Sequence, residues 1–164
     1  MPDVVHHFAI LAPVPLEHLQ SGAPIAEQTG YVAFGSANWE LFRQLDADRE
    51  GAPVPVLIYP SHTDTPGTMN LVVSWWAWYV GHSEGKGGAH KEGMLHRPPT
   101  TNAYSTDNSG HWAVFWHVQG LRQLPPAKWL PIGKVPTVKN GWRKTAPPRG
   151  PERVALPEAL SYES

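Results

Sequence analysis

Six of the eight tryptophans in this 164-residue chain are well suited to recognising a flat ring. Trp75, Trp76 and Trp78 stand in one apolar run, Trp112 and Trp116 in a second, and Trp39 follows the small polar stretch Gly35-Ser-Ala-Asn38. An extruded nucleic-acid base needs two stacking surfaces plus donors and acceptors that read its edge, and each stack is worth about 1–3 kcal/mol. Trp39, with Trp76 or Trp78 opposite, would supply the stacking surfaces. Ser36, Asn38, Tyr59, Ser61 and Ser74 would supply the hydroxyl and amide groups. Against this stands the ordinary fate of aromatic side chains, which is burial in a core.

Phosphates would be met by Lys139, Arg143, Lys144 and Arg149, grouped around Trp142, together with Arg97. Any such contact has to be local, because 13 Lys and Arg against 14 Asp and Glu leave a net charge of −1 and no global attraction to nucleic acid. His6, His7, His82, His90, His96, His111 and His117 offer imidazoles but no His-x3-His spacing, so hydrogen-bonded or surface histidines are expected rather than a metal site. No cofactor is expected either. The absence of Cys excludes disulfides, thiolate zinc sites and cysteine nucleophiles together. No apolar run approaches the 18 residues or so of a membrane span and no leader is evident, so a cytoplasmic protein without a membrane partner is expected.

The elements that must position these groups follow from pattern. Leu71 to Val80 carries no charge, Gly or Pro, and reads as a central strand buried on both faces. Its alternation assigns Leu71, Val73, Trp75, Ala77 and Tyr79 to one face and Val72, Ser74, Trp76, Trp78 and Val80 to the other. His6–Val14, Tyr31–Phe34 and Val54–Tyr59 read as further strands, the last pairing with the central one as a wide hairpin. His111–Val118 alternates cleanly, with Trp112, Val114, Trp116 and Val118 opposite His111, Ala113, Phe115 and His117.

Leu16 and Leu19, between Pro15 and Gly22, indicate one or two helical turns. Leu41, Phe42 and Leu45 give the clearest helical face, with Ser36 or Asn38 as its cap. A single domain over residues 1–164 is expected, with a long Gly/Pro-rich loop at 82–110 and a basic, Pro-rich tail at 136–164.

In this order the elements resemble the PUA-like superfamily, and within it the EVE branch. The resemblance rests on Ala33-Phe-Gly-Ser-Ala-Asn-Trp39, Val56-Leu-Ile-Tyr-Pro-Ser61, Val73-Ser-Trp-Trp-Ala-Trp-Tyr-Val-Gly81, His111 to Arg122, and Lys139-Asn-Gly-Trp-Arg-Lys144 with Arg149 to Val154. It spans roughly residues 5 to 158. It implies an α+β fold: a small, mixed, twisted β-barrel of five to six strands with short flanking helices. It also implies DNA or RNA carrying a modified base as partner, the base entering an aromatic pocket without catalysis.

The related ASCH branch includes small amidohydrolases of modified nucleosides that use Lys, Thr and Glu. Lys86, Glu84, Lys91, Glu92, Thr100 and Thr101 of the long loop are the residues such a reaction would draw on. A structural or partner-binding domain, with every Trp in the core, is the third possibility.

Overall fold

The computed structural model describes residues 8–61, 72–85, 87–103, 108, 112–137, 141–142 and 150–163. The histidines at 6, 7 and 111, and the basic residues Lys86, Lys139, Arg143, Lys144 and Arg149, lie outside the described residues. The fold is α+β. Strand β1 (Phe8–Val14), helix α1 (Leu16–Thr29), β2 (Val32–Ser36), α2 (Trp39–Asp48) and β3 (Val54–Pro60) come first. The two-residue β4 (Val72–Val73) precedes the long strands β5 (Trp75–Glu84) and β6 (Val114–Gln123). Three short strands, β7 (Leu130–Pro131), β8 (Pro136–Thr137) and β9 (Gly141–Trp142), lead to β10 (Glu152–Ala155).

Six strands form one mixed sheet in the order β10-β1-β3-β5-β6-β2. Only β1 and β3 run parallel, because the intervening chain crosses the sheet through both helices and β2, whereas the other neighbours are antiparallel. The ladder ends at β10 and β2, which do not pair with each other, so the sheet is open. The expected central strand is indeed internal, flanked by β3 and β6.

Its alternation breaks at Ser74, and its pairing with β6 shifts register between Trp76 and Trp78 and between Tyr79 and Gly81. Ser74 interrupts the run, its N–H donating to Ile58 O at 3.1 Å and its carbonyl accepting from Leu124 N at 2.8 Å. As a result Val73 and Trp75 face opposite ways, where strict alternation would put them together: Trp75 joins Ala77 and Tyr79 on the first face, and Val73 joins Trp76 on the second. One irregular residue moves side chains to the other face of a sheet, because the side-chain period is two.

The first face buries Ile10, Val56, Ile58, Trp75, Tyr79 and Trp116 beneath the two helices. Helix α2 contributes Phe42 and Leu45, as the sequence spacing requires, and Asn38 caps it by accepting from Leu41 N at 3.3 Å. Helix α1 is longer than its sequence suggests, with 14 residues that run through Gly22 and Pro24. Gly22 serves close approach rather than termination: a Cβ there would stand 3.3 Å from Val32 Cγ2 and 3.4 Å from Pro98 Cγ. Leu19 and Ala26, buried against the sheet, hold the helix through these poor helix formers.

The second face is divided. Toward β10, β1 and β3 it is apolar, with Leu11, Leu57, Tyr59, Trp76, Val154 and Leu160 in one cluster. The chain after residue 150 is therefore docked, β10 against β1 and Leu160 in the core. Toward β6 and β2 the same face is covered by residues 87–103, and the contacts there are largely polar.

Candidate functional site

The junction of β2 and α2 brings together Ser36, Asn38 and Trp39. A Cβ on Gly35 would come within 2.4 Å of the Trp112 indole, so that ring lies directly on the glycine backbone, a contact only glycine permits. The next residue, Ser36, accepts the N–H of Ala113 through its carbonyl at 3.2 Å and the N–H of Asn38 through Oγ at 3.0 Å. Trp39 then projects from the first turn of α2, 53% exposed, with the Arg43 guanidinium 5.4 Å from its ring centroid. Arg43 also stands 3.8 Å from Glu40. Among the described residues, the ring contact of this exposed indole is with Arg43.

The other expected pocket residues lie elsewhere. Trp76 and Tyr59 are 0% and 1% exposed on the second face, whereas α2 covers the first. The expected opposition of Trp39 to Trp76 or Trp78 is therefore not formed, because the sheet itself lies between them. Trp78 is half-buried and meets Trp76 edge to face at 5.6 Å. Ser74 is buried, and Ser61 follows β3 with its N–H on Val14 O at 3.1 Å. The indole nitrogens of Trp75, Trp76 and Trp116 are buried without a hydrogen-bond partner among the described residues, so these three rings act as apolar bulk.

Arg97 also departs from its expected role at a phosphate. It is 1% exposed, with Nη1 donating to Ala33 O at 2.7 Å, Nε donating to Asn108 Oδ1 at 2.8 Å, and its guanidinium 5.0 Å from the centre of Phe115. A guanidinium engaged in this way ties residues 87–103 to the edge strand. The threonines considered for hydrolysis are similarly committed. Thr100 Oγ1 lies 2.7 Å from His18 Nδ1 and 2.8 Å from Ser21 Oγ on α1, and Thr101 Oγ1 donates to Pro98 O at 2.6 Å.

Between these anchors lies a cluster that the sequence did not announce. His90 and His117 are buried with their Nε2 atoms 3.1 Å apart, and Ser83 Oγ is 3.2 Å from the same His117 nitrogen. The tautomers follow from one contact. His90 Nδ1 accepts the Glu92 N–H at 3.2 Å, so the His90 proton sits on Nε2 and points at His117 Nε2, which accepts. Both rings are neutral. Burial, reinforced by neighbouring histidines and Lys91, pushes the His90 pKa down to about 4 and that of His117 down to about 3.

The Tyr31 ring stacks on His96 at 3.7 Å and on His117 at 4.2 Å. Its hydroxyl donates to Glu92 Oε2 at 3.2 Å, and the same oxygen is 2.6 Å from His96 Nε2. Burial first, then the Glu92 carboxylate, raises the phenol to about 12. Among the described residues no three His, Cys, Asp or Glu gather in a metal-holding arrangement. The His90 tautomer also opposes ligation, since a metal on Nε2 would push the proton onto Nδ1, where the Glu92 N–H already points.

A third polar group fastens α2 to β5. Asp46 accepts from Arg49 Nε at 2.8 Å and Tyr79 OH at 2.9 Å through one oxygen, and its other oxygen is 2.6 Å from His82 Nδ1. Burial and this carboxylate hold the Tyr79 phenol well above its usual range. His117 was legible as facing away from Trp116, but its partner His90 lies 27 residues back in a loop with no periodicity to place it. Searches against protein-family models, curated proteins and solved structures each found no match.

Proposed function

We propose that this chain is a nucleic-acid-binding module of the PUA-like, EVE-like kind, which recognises a base, including a modified one, by stacking it on Trp39. The observation that carries the reading is that indole, more than half exposed beside Ser36, Asn38 and Arg43, whereas Trp75, Trp76 and Trp116 are buried and Trp78 and Trp112 half-buried. A large exposed aromatic at a fixed position loses little entropy when a flat ring settles on it, and the adjacent guanidinium suits either a second stack or a phosphate. Asn38 and Ser36, its neighbours in sequence at the β2–α2 junction, are the polar groups assigned to read the edge of that ring. The six-strand mixed sheet with its two helices supports the α+β part of this reading, and the small, twisted barrel belongs to the proposal.

The amidohydrolase alternative lacks comparable support, because Thr100 and Thr101 serve as anchors. Binding is tested by following tryptophan fluorescence and melting temperature with modified nucleosides and short DNA and RNA oligonucleotides. Trp39→Ala should weaken the best ligand by about 5- to 150-fold, the equivalent of one lost stack of about 1–3 kcal/mol. Unchanged affinity for every ligand bound by the wild type, or no binding by the wild type at all, would overturn the reading.

A further inference from the structure

The edge strand β2 is capped by a segment that is itself no strand. Ala33 turns both backbone groups away from β6: its N–H donates to His96 O and its carbonyl accepts from Arg97, each at 2.7 Å. An added strand would make these bonds, so residues 87–103 occupy the place of a seventh strand. The segment continues over the edge to α1, where Thr100 meets His18 and Ser21. On the sheet side, His90 closes against His117 and Ser83, while His96 and Glu92 hold Tyr31.

We propose that residues 87–103 form a proton-controlled strap, seated on the β2 edge at neutral pH and released in mild acid, when His90 and His117 each take up a proton. The contact requires both rings neutral, since the single N–H···N bond at 3.1 Å becomes two opposed N–H groups once His117 is protonated. The surroundings add to the requirement. The charged and titratable groups around the pair are Lys91, Glu92, His96 and Arg97 from the strap, His82 from β5, and Tyr31 just before β2, and of these only Glu92 favours a charged His90. Release places both imidazoles in water, where their ordinary pKa of about 6.5 returns, so opening draws up to two protons as pH falls below that value.

The size of the effect follows. Between pH 7.5 and 5.5 each histidine should multiply the opening constant about tenfold, and the pair about 100-fold. The experiment is hydrogen exchange of the wild-type chain by NMR, reading the Ala33 amide as a protection factor corrected for intrinsic rate. Ala33 should lose about 100-fold in protection over that interval, while the Val56 amide in the sheet centre keeps its own. His90→Asn, which leaves one titrating ring, should reduce the loss to about tenfold. A pH-independent Ala33, or Ala33 and Val56 losing protection in parallel, would overturn the proposal. Since the wild type decides the matter alone, a poorly folded variant does not obscure it.

Discussion

One face of the same sheet is closed in two different ways. Over β10, β1 and β3 the contacts join Leu57, Trp76, Val154 and Leu160, whereas over β6 and β2 they join His90, His117, Tyr31 and Arg97. The apolar half draws on area removed from water, which depends little on protonation. The polar half relies on groups whose burial is tolerable only in one tautomer and one charge state. A single β-sheet can therefore present a permanent seam beside a conditional one.

The largest effect should come from breaking the permanent seam. Trp76→Ala should cost about 3–5 kcal/mol in chemical denaturation, as expected for a fully buried aromatic, and by the same amount at pH 7.5 and 6. The conditional seam should respond to pH instead. Because the folded pKa values of His90 and His117 lie below their unfolded value, the unfolded chain takes up protons first as pH falls under about 6.5. Stability is thus fully present above that point and declines in acid until pH passes about 4 for His90 and about 3 for His117.

Each ring should contribute a slope of about 1.4 kcal/mol per pH unit within its window. Unfolding free energies of the wild type and the His90→Asn/His117→Asn variant, followed from pH 6 to 4.5, should differ in slope by up to about 2.7 kcal/mol per pH unit, one proton for each ring removed, with the variant flatter. The smallest effect isolates one bond. Ser83→Ala should cost about 0.5–1.5 kcal/mol, the net worth of an ordinary hydrogen bond, and should leave the stability of a Trp76→Ala background additive within a few tenths of a kcal/mol.

The two halves were also unequally legible from the sequence. Strand β5, its neighbours and the Phe42/Leu45 face of α2 could be read because hydrophobic period reports local geometry directly. Helix α1 was underestimated because Gly22 and Pro24 look like breakers, and only the tertiary contact with Val32 and Pro98 explains the glycine. The candidate pocket was partly legible. Ser36, Asn38 and Trp39 meet because they are neighbours in sequence, whereas Trp76 was assigned opposite Trp39 without knowledge of which face α2 would cover. The histidine cluster joins β6 to a loop lacking any repeat, so no sequence pattern could have paired His90 with His117.

The antiparallel pairing of Phe8 with Ala155 and Leu11 with Glu152 makes the first strand and the last strand neighbours. During synthesis, then, one side of β1 has no partner until residues 152–155 have left the ribosome, long after β3 has become available to the other side. For most of translation the nascent sheet carries an open β1 flank, an unpaired edge of the kind to which another strand can add.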